Sequence, residues 1–181
     1  MYAPSMLGSR PVEVPADARL DGLPGDALVL LIGPSGAGKS TWAGARFPAH
    51  AVLSSDAYRA QVADDAADQS ATADAFRVLH AVARARLRRG LLTVVDATNL
   101  SEGARRSLLR LAARAERPVV AVAFDVSLER CLAQNAGRPD RRVPEDVVRR
   151  QHRQMQQVLT RLPSEGYVAI EYIAGEGITG G

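Results

Sequence analysis

Cysteine and lysine are almost absent from this sequence of 181 residues. Cys131 is the only cysteine, so a disulfide framework and a cysteine-based zinc site are excluded, which is typical of a reducing compartment. No apolar run approaches the length of a membrane span, and the proline-rich N-terminus lacks the charged-then-apolar layout of a signal peptide. We therefore expect a cytoplasmic protein that has no membrane partner.

Aromatic residues are also few, at 4% of the chain. Proteins that track a long single strand of nucleic acid combine a basic groove with aromatic stacking platforms, and no such strip occurs here. A nucleic-acid partner is therefore expected to be contacted over only a few nucleotides. The net charge of +3 is compatible with a polyanionic partner but does not require one.

The length and the hydrophobic content of 46% suit a single α/β domain. Short apolar runs alternate with segments of helical periodicity, which predicts a five-stranded parallel sheet with helices on both faces. Strands are predicted at 27–32, 51–53, 91–95, 119–124 and 168–173. Helices are predicted at 40–46, 72–89, 101–115, 127–135 and 144–162. A further short helix is predicted to contain Tyr58. The domain then spans 27–174, between an irregular arm at 1–26 and a flexible tail at 175–181.

The strongest functional signal is the stretch Gly33-Pro-Ser-Gly-Ala-Gly-Lys39-Ser40-Thr41. It fits the G-x-x-x-x-G-K-[ST] pattern of a phosphate-binding P-loop, between a predicted strand and a predicted helix as that pattern requires. Its glycines let successive backbone N–H groups turn toward one anion, and the helix adds the positive end of its dipole. The stretch predicts that ATP or another NTP is bound by Gly33, Ser35, Gly36, Ala37, Gly38, Lys39, Ser40 and Thr41.

Lys39 is the only lysine, whereas every other fixed positive side chain is an arginine. A coding bias explains the excess of arginine, but it does not explain why one lysine stands in this loop. A compact ammonium suits a phosphate site better than a planar guanidinium does. We expect Lys39 to reach the β- and γ-phosphates and the Ser40 hydroxyl to ligate Mg²⁺.

Two acids follow predicted strands, so they are expected at the same edge of the sheet as the P-loop. Asp96 ends an apolar strand in the manner of a Walker B motif, which predicts contact with Mg²⁺ directly or through water. The alternative is that Asp96, Thr98 and Asn99 hydrogen-bond the next turn. Asp56 follows the second strand, where a kinase needs a group that takes a proton from a hydroxyl. The sequence favours this base and a helix N-cap equally for Asp56.

Arginines near the predicted site offer groups that bind anions. Arg59 lies on the same helical face as Asp56, where it either holds an anion of the acceptor or pairs with Asp56. Arg138, Arg141 and Arg142 lie between two predicted helices, where small P-loop kinases carry a mobile lid. A lid arginine stabilises charge on a transferring phosphoryl group. The alternative is a solvated basic turn, and we expect at most two of the three to matter.

Taken together, these motifs resemble the 5′-OH polynucleotide kinase family, and most closely the kinase domain of bacterial polynucleotide kinase-phosphatase RNA-repair enzymes. The resemblance covers residues 27–172 and rests on segments 33–41, 54–59, 64–69, 75–80, 93–99 and 138–143, which occur in the family's order and spacing. It implies an adenylate-kinase-like P-loop NTPase fold with an arginine-bearing lid. It also implies Mg²⁺-dependent transfer of the γ-phosphate of an NTP to the 5′-hydroxyl end of RNA or DNA.

The resemblance further implies roles for individual residues. Lys39 and Ser40 become the ligands of phosphate and Mg²⁺, and Asp56 becomes the general base. Arg59 then contacts the phosphate 3′ to the acceptor nucleoside. Arg138 is the lid arginine on the NTP phosphates, with Arg141 as a weaker second.

The chain also departs from that family. The repair enzymes carry phosphatase and ligase-like domains after the kinase, for which this chain has no room, so we expect an excised domain or a free-standing kinase. The N-terminal arm is longer than the match requires. Two other functions stay open, a small-molecule or nucleotide kinase of the P-loop class and a non-catalytic NTP-binding module. Kinases of this type are often dimeric or larger, so a homo-oligomer is also suggested.

Overall fold

The computed structural model describes residues 22–138 and 142–174, in which five strands form one sheet. The strands are β1 (Leu28–Ile32), β2 (Val52–Ser54), β3 (Thr93–Asp96), β4 (Val119–Asp125) and β5 (Ala169–Ala174). Their order is β2-β3-β1-β4-β5, and every neighbouring pair is parallel. The predicted five-stranded parallel sheet is confirmed.

Six α-helices accompany these strands over the described ranges. They are α1 (Lys39–Arg46), α2 (Ser55–Ala63), α3 (Thr72–Arg88), α4 (Glu102–Arg114), α5 (Leu128–Ala136) and α6 (Glu145–Arg161). Single 3-10 turns cover Ala49–Ala51, Gln69–Ala71 and Leu162–Ser164. Helix α2 includes Ser55 and Asp56, because the Ser54 hydroxyl accepts a hydrogen bond from Ala57 N–H and caps the helix. None of the described helices is long and apolar enough to cross a membrane.

The central strand β1 is buried on both faces of the sheet. On one face its residues pack against α3, α4 and α6 through Leu79, Leu108 and Met155. On the other face they pack against α1 and α5 through Trp42 and Cys131. Full burial of one leucine side chain contributes about 1.5–3 kcal/mol. This two-sided packing holds the end of β1, where the P-loop begins, in a fixed place.

Strand register brings the predicted site residues to one edge of the sheet. Asp96, the last residue of β3, pairs with Leu31 of β1 on one side and with Ser54 of β2 on the other. The segments that follow all three strands therefore leave the sheet side by side. This is the edge at which ligands bind in open parallel sheets.

Three predictions lie outside the described residues. They are the arm as far as residue 21, the tail at 175–181 and the second lid arginine, Arg141. Residues 22–26 belong to no helix or strand. The domain limits at 27 and 174 stay predictions.

Candidate active site

A cavity of about 450 Å³ opens at this edge of the sheet. Its walls come from the P-loop, from α2 and the segment that follows it, from the end of β3 and from the start of α6. The residues predicted for the site that line it are Ser35, Lys39, Ser40, Asp56, Arg59, Asp96 and Arg138. The structure therefore brings together the loop, both acids and two of the arginines. The chemical role of each residue stays a prediction.

The P-loop has a tightly constrained backbone. Gly36 and Gly38 have φ angles of 79° and 88°, in the left-handed region that favours glycine. A Cβ atom on Gly36 would lie 2.1 Å from the carbonyl oxygen of Cys131 in α5. Gly33 N–H donates to the carbonyl of Thr98 at 3.0 Å, which ties the start of the loop to the segment after β3. The contacts of the loop with α5 and with the segment after β3 thus fix its shape.

The charge of Lys39 lies within this loop. The side chain is almost fully buried, and its Nζ donates to the carbonyl oxygens of Gly33 and Pro34 at 2.9 and 2.8 Å. Lys39 also lines the cavity. A positive charge removed from bulk water acts more strongly on an anion, because the effective dielectric constant is lower there. The position suits an ammonium that meets a phosphate group held by the loop.

Oxygen ligands suitable for Mg²⁺ lie beside the loop. Ser40 Oγ donates to Asp96 Oδ2 at 2.7 Å, and Asp96 is buried. Proteins usually bind Mg²⁺ through one or two carboxylates together with substrate phosphates and water. Within the part of the chain described, no group of three or more His, Cys, Asp or Glu side chains is able to hold a metal ion. The donor set at Ser40 and Asp96 fits Mg²⁺ when nucleotide and water supply the other ligands.

Asn99, in the segment after Asp96, makes a structural hydrogen bond, which reaches β1 rather than the next turn. Asn99 has a φ of 48°, a conformation that asparagine tolerates. Its Nδ2 donates to the carbonyl of Leu31 at 2.8 Å. Asn99 therefore holds the segment after β3 against the end of β1.

Asp56 and Arg59 form an ion pair one helical turn apart at the start of α2. Because Ser54 caps α2, the second of the two roles considered for Asp56, the helix N-cap, is wrong. Arg59 Nη2 binds Asp56 Oδ1, and Arg59 Nε donates to the carbonyl of Ala66 at 2.9 Å. Only 4% of Arg59 is exposed, and this burial lowers the pKa of its guanidinium. Both residues nevertheless line the cavity, as Lys39 and Ser40 of the P-loop do.

Three arginines line the wall contributed by α6 and by the described residues between α5 and α6. Arg138 is half-buried and also lines a second, more open cavity of about 690 Å³, together with Ser40 and Thr41. Arg142 and Arg150 line the main cavity. Arg150 is exposed on α6 and borders the site. The basic wall suits a polyphosphate ligand.

Sequence reasoning missed several residues of the cavity. Gln151 of α6 accepts a hydrogen bond from the Ser35 backbone N–H at 2.8 Å. Phe76 and Thr72, at the start of α3, line the wall next to Arg59, and Thr72 Oγ1 is buried without a hydrogen-bond partner in the described structure. Phe76 belongs to segment 75–80 of the family resemblance, but that resemblance assigned it no role. The contacts of Gln151 and Thr72 depend on tertiary packing, so no sequence motif marks them.

A buried ion pair behind the cavity also escaped prediction. Arg105 of α4 is 1% exposed and donates through Nη1 to the carbonyls of Asn99 and Leu100 at 3.0 and 2.8 Å. Its Nε donates to Glu165 Oε2 at 2.7 Å. Burial disfavours both charges, but the hydrogen bonds and the attraction within the pair outweigh it. The pKa of Arg105 is raised and the pKa of Glu165 is lowered. The pair holds the segment that follows Asp96.

Solved structures share this fold at low sequence identity. The structure of the Pnkp1/Rnl/Hen1 RNA repair complex has a TM-score of 0.63 and 19% identity, covering 75% of this chain and 45% of that chain. A crystal structure of AvrRxo1-ORF1:-ORF2 with ATP has a TM-score of 0.65 and 19% identity, covering 85% and 55%. A gluconokinase from Sinorhizobium meliloti 1021 has a TM-score of 0.52 and 17% identity, covering 86% of both chains. This chain thus spans about half the length of the first two structures.

At these identities the likeness concerns the fold, which is the α/β P-loop NTPase fold found in kinases. No curated protein sequence matches the chain. A family model described as an AAA domain, AAA_33, matches residues 28–162, from the first residue of β1 to the residue after α6. Because this match covers most of the chain, the protein belongs to the AAA_33 family.

Proposed function

We propose that the protein is an Mg²⁺-dependent kinase that transfers the γ-phosphate of ATP or another NTP to the 5′-hydroxyl end of RNA or DNA. One observation carries the proposal: Asp56 and Arg59 share a cavity with Lys39 and Ser40 of the P-loop. An acceptor bound against α2 would therefore lie beside a phosphate bound by the loop. Proximity of this kind turns a reaction between two molecules into one within a complex.

On the donor side, the residues of the chain neutralise and position the phosphates. Lys39 supplies a buried positive charge, and Arg138 adds a second charge from the lid segment. Ser40 and Asp96 are the residues that would hold Mg²⁺, which supplies positive charge next to the phosphate oxygens when bound. Fixed charges act on the charge that develops in the transition state, because they need no reorganisation during the reaction.

On the acceptor side, Asp56 accepts the proton of the attacking hydroxyl. Its ion pair with Arg59 fixes the orientation of the carboxylate on α2. Over the described residues, Arg59 uses Nε and Nη2 in hydrogen bonds, and Nη1 makes none. We assign Nη1 to the first internucleotide phosphate of the acceptor. That phosphate lies one sugar away from the 5′-hydroxyl, so one helical face can contact both groups.

A second candidate is a kinase that acts on a small neutral alcohol. The observation that favours it is the burial of Arg59, whose guanidinium already binds Asp56 and the carbonyl of Ala66. In this case Arg59 only positions Asp56, and the acceptor needs no phosphate. The fold does not choose between the two candidates, since an RNA repair complex and a gluconokinase both share it.

The test is phosphate transfer from γ-labelled ATP, with Mg²⁺, to four acceptors compared side by side. These are 5′-OH RNA, 5′-OH DNA, a 3′-phosphorylated nucleoside and the plain nucleoside. We expect label on at least one oligonucleotide and on the 3′-phosphorylated nucleoside, with much less on the plain nucleoside. Absence of label on both oligonucleotides would contradict the proposal, and equal label on the two nucleosides would favour the second candidate.

A further inference from the structure

Gln151 connects α6 to the P-loop through a contact that the mechanism above does not use. Its side-chain Oε1 accepts a hydrogen bond from Ser35 N–H at 2.8 Å, across 116 positions of sequence. Ser35 is almost fully buried, and both residues line the main cavity. Backbone N–H groups of a P-loop are the groups that bind phosphate oxygens. In this structure a side-chain oxygen from α6 binds one of them.

The chemistry of the contact fixes which way the amide group of Gln151 points. A backbone N–H is only a donor, so the atom facing it is the carbonyl oxygen of the amide. The amino group, Nε2, is then the other branch of the same planar group. It makes no hydrogen bond to any residue of the described structure. Gln151 therefore brings unused N–H donors to the wall of the cavity.

The location of the Gln151 N–H donors indicates which part of the nucleotide they contact. Gln151 and Ser35 line the cavity that contains Asp56 and Arg59. The second cavity, which Thr41 at the far end of the P-loop motif lines, shares Asp56 with the main cavity but is not lined by Gln151, Ser35 or Arg59. Arg59 is the residue assigned above to the phosphate of the acceptor, so Gln151 and Ser35 lie in the part of the site that the acceptor enters. The nucleotide phosphate that meets the acceptor is the terminal one.

A neutral amide suits this position better than another cation. Arg142 and Arg150 line the same cavity, but a guanidinium has no acceptor and cannot receive the hydrogen bond from Ser35 N–H. Glutamine accepts from the loop and donates to a phosphate at the same time. The residue type therefore matches a bridge between the P-loop and a phosphate oxygen.

We propose that Gln151 donates a hydrogen bond from Nε2 to the terminal phosphate of a bound triphosphate, with its Oε1 held in place by Ser35 N–H. This inference rests on the nucleotide-binding function proposed above. It adds selectivity to that function, because a diphosphate lacks the group that Nε2 contacts. The hydrogen bond from Gln151 on α6 then contributes to a preference of the site for a triphosphate over a diphosphate.

The test measures the dissociation constants of ATP and ADP by titration calorimetry, in the presence of Mg²⁺. Q151L removes both amide functions at similar size, whereas Q151E keeps the acceptor for Ser35 N–H and replaces the donor by a carboxylate oxygen. We expect affinity for ATP to fall about tenfold or more in Q151E, since a hydrogen bond to a charged group is lost and a repulsion is gained. Affinity for ADP changes little. Q151L shows a smaller loss that is again selective for ATP.

Gln154 is the matched control, since it lies one turn later on α6. Its Nε2 donates to the carbonyl of Leu100 at 3.1 Å, and it does not line the cavity. Q154L should leave the ratio of the two dissociation constants unchanged. Thermal unfolding without nucleotide checks that each variant is folded.

Three outcomes would overturn the inference. If Q151E lost affinity for ATP and ADP equally, Gln151 would only stabilise the loop. If it lost neither, Nε2 would not contact the nucleotide. Both results would leave the proposed kinase function intact, whereas failure of the wild-type protein to bind either nucleotide would contradict the function and the inference together.

Discussion

Arg59 and Asp56 form an ion pair within the first turns of α2, and both side chains line the cavity that contains Lys39. The same i, i+3 arrangement occurs on α3 between Arg77 and Asp74, where both side chains are exposed. The two pairs differ in surroundings rather than in local geometry. The first pair lines a cavity together with residues of the P-loop, and the second is exposed to solvent.

This difference yields a prediction for R59Q, which removes the positive charge and the guanidinium N–H donors of Arg59. Transfer to a 3′-phosphorylated nucleoside should fall about tenfold or more, because a charge-assisted hydrogen bond to phosphate is lost. Transfer to the plain nucleoside should fall less, so the ratio of the two rates approaches one. The measurement is the initial rate with each acceptor.

R77Q serves as the control, because it removes an arginine from a similar exposed pair that does not line the cavity. It should leave both rates unchanged. If R59Q lowered the two rates by the same factor, Arg59 would act only by positioning Asp56.

A second prediction concerns the hydrogen bond between Ser40 and Asp96. D96N keeps the size of the side chain but removes the charge that Mg²⁺ binds. The concentration of Mg²⁺ needed for half-maximal transfer should rise several-fold or more. D125N provides the comparison, since Asp125 ends β4 as Asp96 ends β3 but is exposed and does not line the cavity. Equal dependence on Mg²⁺ in wild type and D96N would exclude Asp96 as a metal ligand.

The contact between Gly36 and Cys131 yields a third prediction. G36A places a Cβ atom 2.1 Å from a backbone carbonyl oxygen, at a φ of 79°. We expect the free energy of unfolding to fall by about 2 kcal/mol or more and nucleotide binding to be lost. Thermal and urea unfolding measure the first effect, and calorimetry measures the second.

Gly44 in α1 is the control position for that experiment. A Cβ atom there meets nothing within 4 Å, and its backbone is helical. G44A should be neutral or stabilising by about 0.5–1 kcal/mol, because alanine has less backbone entropy to lose in a helix. A G36A variant as stable as G44A would show that the loop is not constrained as described.

The sequence was informative wherever local chemistry decides the structure. The P-loop pattern and the alternation of strands and helices were sufficient to place Lys39, Asp56 and Asp96 at one edge of a parallel sheet. At the start of α2, however, both Ser54 and Asp56 were suitable caps. Only the structure shows that Ser54 caps the helix, which leaves Asp56 beside the cavity.

The remaining parts of the site depend on contacts between residues distant in sequence. Ser35 and Gln151 are 116 positions apart, and Arg105 and Glu165 are 60 apart. A glutamine or an arginine on a polar helix resembles any other solvated residue, because hydropathy does not reveal its partner. Such residues are found only when the packing of α4 and α6 is known.

The pair of Arg105 and Glu165 yields a fourth prediction, on pH. The pair lowers the pKa of Glu165 below its ordinary value of 4.5, so its contribution to stability is complete above that pH. The contribution is lost as the pH falls through the lowered pKa. E165Q should destabilise the protein at neutral pH by about 3 kcal/mol or more, since it leaves the buried charge of Arg105 without its partner.

The measurement is the free energy of unfolding from neutral pH to below pH 4. The difference between wild type and E165Q should shrink on the acid side, because the carboxyl of the wild type becomes neutral there. A difference that stays constant over this range would show that the charge of Glu165 does not contribute to stability.

Substitution of Asp56 tests the central claim most directly. In D56N the carboxylate that takes the proton is replaced by an amide of the same size, while the P-loop is untouched. The measurement compares ATP affinity and single-turnover transfer to 5′-OH RNA in wild type and D56N. We predict unchanged ATP affinity and a loss of transfer of about a hundredfold or more. Transfer at the wild-type rate in D56N would contradict the assignment of Asp56 as the base and, with it, this account of the site.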